Sequence, residues 1–246
     1  MCTVTLLRQS NGLRLFMNRD EAHSRKPALE PKLLVEESKV YAPIDPQGGG
    51  TWIAYNEKGY WGCLLNGYFE RPTEDKESVQ SVVAVSYPSR GLILPKLLSS
   101  KDPLQAIEQF DPTEYASFRL LVGNAQEFTL KVWDGITYQD ATFHHQVMDK
   151  AFFLTSSSWR QEEVIEARSA LFKAWAKSHI TSLDNCSDTP EYHWRSNLPP
   201  AVAPFMHRPV SATQSITSLA ISSDGIQMGY QSIDQEMHNQ LCSSFN

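Results

Sequence analysis

The chain has 246 residues, 41% hydrophobic and 20% charged, with a formal net charge of −6. That length and mix suit a globular chain that buries a core as one large domain or two small ones. Its scattered basic residues exclude an electrostatic footprint for nucleic acid, and no apolar run approaches the ~18 residues a spanning helix needs.

The chain starts Met1-Cys2. A small second residue normally lets methionine aminopeptidase remove Met1, leaving a thiol and a free α-amine on one carbon. Both groups titrate close to neutrality, the amine near ~7.7–8.0 and the thiol near ~8.5, so nucleophile and base are joined. The other reading of Cys2 is a small buried hydrophobe. No basic-then-apolar leader is present, so a cytoplasmic location is expected. The four cysteines, at 2, 63, 186 and 242, show no CxxC spacing, so neither a zinc site nor a disulfide framework is expected.

Thr3–Leu7 is β-branched and apolar, Leu13–Met17 alternates, and Asn11-Gly12 between them is a strong hairpin signal. With Asn11 and Gly12 as the turn, Cys2 pairs with Glu21, Thr3 with Asp20 and Val4 with Arg19. Cys2 and Arg19 then share a face as diagonal neighbours, ~7–8 Å apart at the backbone. Asp20 is expected on the other face unless the strand ends or bulges. Thr51–Tyr55 and Tyr60–Leu65 form a second hairpin. In the Gly48-Gly49-Gly50 run before it, no Gly-Lys-Ser/Thr follows and the next element is a strand, so close backbone packing is expected rather than phosphate binding.

Asp102-Pro103 caps a short helix through Phe110. Phe118–Val122, Thr129–Trp133 and Phe152–Thr155 read as strands. Ser158 and Gln161 make a capping box before a helix whose core face runs Val164, Arg168, Leu171, Trp175. Residues 181–210, rich in proline and polar side chains, read as a long loop forming a lid or wall. Ile216–Ile221 and Ile226–Met228 close the chain as a hairpin. No linker divides the chain, so a single α+β domain spanning 1–246 is expected.

Met1-Cys2 together with Asn18-Arg19-Asp20-Glu21 resembles the NRDE family of transport and Golgi organization 2-like proteins. More distantly it is similar to amino-terminal-nucleophile (Ntn) hydrolases of the bile salt hydrolase and penicillin V acylase type. The likeness continues through Gly49-Gly50-Thr51-Trp52, Leu64-Leu65-Asn66, Ser89-Arg90-Gly91, Leu154-Thr155-Ser156 and Thr213-Gln214-Ser215, so it spans most of the chain. It implies a four-layer αββα sandwich, and a Cys2 that attacks a linear amide or related acyl carbon. Arg19 would stabilise the thiolate or developing charge, Asp20 would orient the ammonium, and Asn66 would donate to an oxyanion. Asn18, Trp52, Ser156 and Gln214 are the expected substrate contacts. Two of these depart from the pattern: Ser156 replaces an asparagine, and Gln214 stands where the relatives carry an arginine, so positive charge is missing there.

The expected partner is a small-molecule substrate or ligand, and the hydrolase reading calls for no metal or cofactor. The alternative that the resemblance implies is a non-catalytic haem or lipid binding or trafficking protein, with His144-His145 or His207 as candidate ligands.

Overall fold

In the computed structural model, which describes residues 1–69, 87–234 and 236–238, the amino-terminal apolar alternation becomes the middle of a sheet. β1 (Cys2–Gln9) and β2 (Gly12–Ala22) form its central hairpin. A second sheet follows in chain order as a meander: β3 (Leu29–Val35), β4 (Val40–Ile44), β5 (Ile53–Asn56), β6 (Trp61–Asn66), β7 (Phe118–Gly123), β8 (Phe128–Trp133) and β9 (Tyr138–Asp140). The chain then returns to the first sheet through β10 (His145–Val147), β11 (Ala151–Ser156), β12 (His207–Arg208), β13 (Ser211–Ser222) and β14 (Gly225–Ser232). That sheet runs β10-β11-β1-β2-β13-β12, with β14 also on β13, and among the described residues each sheet has seven strands.

Alternate apolar positions of β1 and β2 point inward. Val4, Leu6, Leu15 and Met17 meet Ile53, Trp61, Cys63, Leu65 and Leu121 of the second sheet. The outer faces are covered by helices. On the first sheet, Phe172 and Ala176 of α3 (Gln161–His179) pack on Leu7, Phe16 and Phe153. On the second, α1 (Ile93–Leu98) and α2 (Pro103–Glu108) bring Ile93, Leu97 and Ile107 against Val40, Leu120 and Val122. The order is helix, sheet, sheet, helix: the αββα sandwich that the resemblance implies. Among the described residues, no helix is long and apolar enough to cross a membrane.

Two local expectations need correction. The hairpin loop is Ser10-Asn11, because Gly12 already pairs with Gln9. Gly12 takes the positive φ (143°), and a Cβ there would lie 2.0 Å from the Ile221 carbonyl oxygen of β13. Neighbour contact therefore sets the turn, and the ladder slips so that Cys2 faces Arg19 directly instead of Glu21. The slip is an even number of positions, so every side chain keeps its expected face. The Ser158–Gln161 capping box does not form. Arg160, in the left-handed region at φ 43° and ψ 54°, is the residue before the helix, and it makes no side-chain cap. The 181–210 segment is less irregular than expected, with short 3-10 turns at Leu183–Asn185 and Glu191–His193 and the strand β12. Cys242 lies outside the described residues.

Between α3 and the first sheet runs a polar layer. His193 is fully buried; its Nε2 meets Thr5 Oγ1 at 2.8 Å and its Nδ1 meets Asn18 Oδ1 at 2.6 Å. Burial, reinforced by Arg168, lowers its pKa to about 3. Its folded pKa lies below the unfolded value of ~6.5, so its stabilising contribution is complete above that pH and falls away as pH drops toward about 3. Urea unfolding is therefore expected to lose about 1.4 kcal/mol per pH unit from this group below pH 6. A His193→Gln variant should flatten that slope, and equal slopes in the two proteins would contradict the assignment.

Candidate active site

Cys2 stands at the end of the central strand with a neighbour on each side. On β2 its partner is Arg19, and on β11 its partner is Ser156. Cross-strand partners share a face, so thiol, guanidinium and hydroxyl all point into the space between the sheets. Cys2 is 7% exposed, and Ser156 Oγ is buried without a hydrogen-bond partner. Beside them opens a cavity of about 530 Å³, lined by Cys2, Arg19, Asp20, Trp52 and Asn66 together with Glu21, Arg25, Asp45 and Arg90.

Arg19 is held rigidly at this mouth. Its guanidinium lies 4.3 Å from the Trp52 ring centroid, donates to Gln214 Oε1 at 3.2 Å, and reaches Glu21 Oε2 at 3.4 Å. Gln214 is placed by a bulge: Asp20 pairs with Thr213 and Arg19 with Ser215, which leaves Gln214 as the extra residue. Its Nε2 donates to the Ala22 carbonyl at 3.0 Å, so the side chain is a brace for Arg19. Asn66 ends β6 and its Nδ2 lies 3.4 Å from Tyr68 Oη. Gly50 also lines the cavity, and a Cβ there would sit 2.3 Å from the Gly91 carbonyl carbon, so the close packing expected of the glycine run is realised.

Asp20 and Asn18 point to the opposite face, toward α3. Asp20 Oδ1 accepts from Thr213 Oγ1 at 2.6 Å; Oδ2 has no hydrogen bond and lies 3.7 Å from Arg168 Nη1. Arg168 is fully buried; its Nη1 donates to Thr3 Oγ1 and Thr155 Oγ1, its Nε to the Val202 carbonyl and its Nη2 to the Ala203 carbonyl. Met1 extends the ladder by one residue: its amine donates to the Asp20 carbonyl at 2.9 Å and its carbonyl accepts from Asp20 N at 2.8 Å.

Burial pushes the Cys2 thiol up, against the pull of the amine and Arg19. Burial likewise raises Asp20, against Arg168, the amine and Thr213. The Met1 amine is disfavoured by burial, but Cys2, Tyr68, Asp20 and Glu21 outweigh it and its pKa rises.

The structure thus brings Cys2, Arg19, Asn66 and Trp52 to one cavity, which Asp20 borders while its carboxylate turns toward α3, and sets Ser156 beside the thiol. Gln214 reaches the cavity's edge through Arg19. Asn18 lies elsewhere: its Nδ2 donates to the carbonyls of His193 (2.8 Å) and Pro204 (3.0 Å), and it fastens the 193–204 segment to the sheet. Its even position in β2, next to the outward Asp20, puts it on that face. Sequence reasoning missed Arg168, which it grouped with apolar neighbours, and also Arg208. A charge at the centre of a buried helical stripe is the signal that marks Arg168. The candidate haem ligands do not gather. His144 and His145 stand at the β10 edge of the sheet and His207 in β12 at the other. His144 Nδ1 already accepts from Thr155 N at 3.1 Å. Among the described residues, no three His, Cys, Asp or Glu side chains are arranged to hold a metal ion.

A model of the Transport and Golgi organisation 2 family matches residues 1–222. Comparison with curated proteins gave no match. Among solved structures, the chain is similar to a Caenorhabditis elegans N-acylethanolamine-hydrolyzing acid amidase ortholog, with a TM-score of 0.52 at 11% identity over 95% of this chain and 100% of that one. A conjugated bile acid hydrolase from Clostridium perfringens, as its C2A mutant, aligns at a TM-score of 0.45 and 10% identity over 95% and 92% of the two chains. Penicillin V acylase from Agrobacterium tumefaciens aligns at 0.46 and 10% over 96% and 87%.

Proposed function

We propose, for a chain that belongs to the Transport and Golgi organisation 2 family and has an Ntn-hydrolase fold, an N-terminal-cysteine hydrolase of a linear non-peptide amide or related acyl bond. The observation that carries this reading is the position of Cys2 between Arg19 and Ser156, at the mouth of a cavity that Asp20, Asn66 and Trp52 also line. The relative from C. elegans is by name an amidase, which fits the reaction class.

Removal of Met1 frees the Cys2 amine. The thiol proton passes to that amine, and Sγ bonds to the acyl carbon. Charge gathers on the acyl oxygen, where Asn66 and the Ser156 hydroxyl donate; one such donor lowers the barrier by on the order of 3 kcal/mol. The C–N bond then breaks, and the ammonium proton goes to the leaving nitrogen. Water attacks the resulting thioester, gives its proton to the amine and releases the carboxylic acid and the thiol. Asp20 Oδ2, which lacks a hydrogen bond and faces Arg168 at 3.7 Å, would accept from the ammonium. A cytoplasmic location, where methionine aminopeptidase acts on new chains, belongs to the same reading.

Iodoacetamide followed by intact mass and peptide mapping tests it. The expected result is loss of Met1 and alkylation at Cys2 well before Cys63, which is fully buried and whose thiol burial pushes far up. Retained Met1, or a Cys2 no faster than Cys63, rejects the hydrolase.

A further inference from the structure

Met1 occupies a slot more polar than a methionine needs. Its sulfur lies 3.0 Å from Arg208 Nη1, 3.5 Å from Ser158 Oγ and 3.6 Å from Ser157 Oγ. A thioether is a weak acceptor for a guanidinium. Arg208 is nevertheless fixed in this aim. Its Nε donates to the Ala201 carbonyl at 2.9 Å, its Nη2 to Ser157 Oγ at 3.3 Å, and its plane lies over the Trp159 ring at 4.7 Å. It is 7% exposed. Among the described residues, no carboxylate stands within ion-pairing distance of it.

The charges on the two sides of β2 differ. On the cavity side, Arg19 and Arg25 meet Glu21 and Asp45, and Arg90 donates to the Ser117 carbonyl at 2.7 Å. On the α3 side, the amine, Arg168 and Arg208 all act on a single carboxylate, Asp20. Asp20 stands 3.7 Å from Arg168, which leaves Arg208 without an anion of its own within ion-pairing distance. A buried guanidinium without a counter-charge is costly, so the arrangement favours a ligand that supplies one.

We propose that loss of Met1 converts this slot into a subsite for a carboxylate group of the substrate, held by Arg208 Nη1 and Ser158 Oγ. The proposal rests on the N-terminal-nucleophile reading and narrows it to carboxylate-bearing small molecules. Ser157 Oγ already donates to the Trp159 carbonyl at 2.6 Å, so two free donors face the slot, matching the two oxygens of a carboxylate better than the three of a phosphate. Met1 and Asp20 both line the main cavity, so Met1 itself stands between the slot and that cavity. The slot is as long as a methionine side chain, so the carboxylate sits two or three carbons from whatever group reaches the Cys2 amine.

Calorimetric titration of butanoate, with butanamide as the neutral control, tests the subsite on protein with Met1 enzymatically removed and on protein that keeps it. Butanoate is expected to bind the processed protein only, and butanamide neither. Arg208→Gln should weaken butanoate at least ~10-fold, and Arg208→Lys, which keeps the charge, about 3-fold. If Arg208→Gln does not fold, Ser158→Ala at an exposed position carries the test, with about 3-fold weaker binding expected. Butanoate affinity that ignores Met1, or that ignores Arg208 and Ser158, overturns the subsite. Thiol chemistry plays no part in this titration. An inert Cys2 therefore rejects the hydrolase and leaves the carboxylate result standing, whereas affinity indifferent to Arg208 rejects the subsite alone.

Discussion

Replacing Arg168 with methionine is expected to cost about 3–5 kcal/mol of folding stability, the largest effect of any single substitution near the site. The side chain is fully buried, and methionine fills much of its volume while removing every donor. Four hydrogen bonds go with it, to Thr3 Oγ1 (2.7 Å), Thr155 Oγ1 (3.0 Å), and the carbonyls of Val202 and Ala203 (2.7 Å each). Two of those acceptors are backbone carbonyls of the 181–210 segment, so the loss also loosens that segment from the sheet. Asp20 would remain buried without its nearest guanidinium. A paired Asp20→Asn change should recover part of the loss, because it removes the stranded charge. Urea unfolding of the single and double variants measures both; a loss below about 1 kcal/mol for Arg168→Met would contradict the buried-pair account.

The second large effect is on the reactivity of Cys2. Arg19 faces the thiol across one ladder rung and lowers its pKa against the upward push of burial. Removing an opposite charge destabilises the thiolate, so in Arg19→Met the thiol pKa rises and the rate at neutral pH falls. The expected displacement is about 1–2 pH units in the alkylation profile, a 10- to 100-fold slower reaction at pH 7. Arg19→Lys keeps the charge but loses the planar stack on Trp52 and the geometry of the Gln214 bond, so it should recover only part of the rate. A profile whose midpoint does not move in Arg19→Met would show that the thiolate draws its stability from elsewhere.

The elements around the thiol were legible because alternation fixes faces more firmly than it fixes register. Placing the turn at Asn11-Gly12 misaligned Cys2 by two positions, yet Arg19 stayed on its face because side-chain direction repeats every second residue. β3 was not legible. Its residues are mostly exposed or half-buried, Pro31 interrupts it, and its pairing with β4 is irregular in two places, so no periodic signal survives. The bulge that carries Gln214 is invisible for a different reason. It arises from how β13 meets β2, nearly two hundred residues apart in the chain, and local propensity holds no trace of it. That contact recasts Gln214. Read as a missing charge, it turns out to hold the charge on Arg19 in place. The Ser158–Gln161 pattern failed because the left-handed Arg160 sets the start of α3, which frees Ser158 to meet Met1 instead.

The placement of β1 also orders events during synthesis. The hairpin that bears the thiol leaves the ribosome early, but the strands that flank it on either side are residues 151–156 and 211–222. A nascent chain that has not yet emitted them displays Cys2 as an ordinary solvated thiol, with no Ser156 beside it and no Gln214 behind Arg19. The surroundings of Cys2 are therefore completed only once residues 211–222 have emerged to pair with β2.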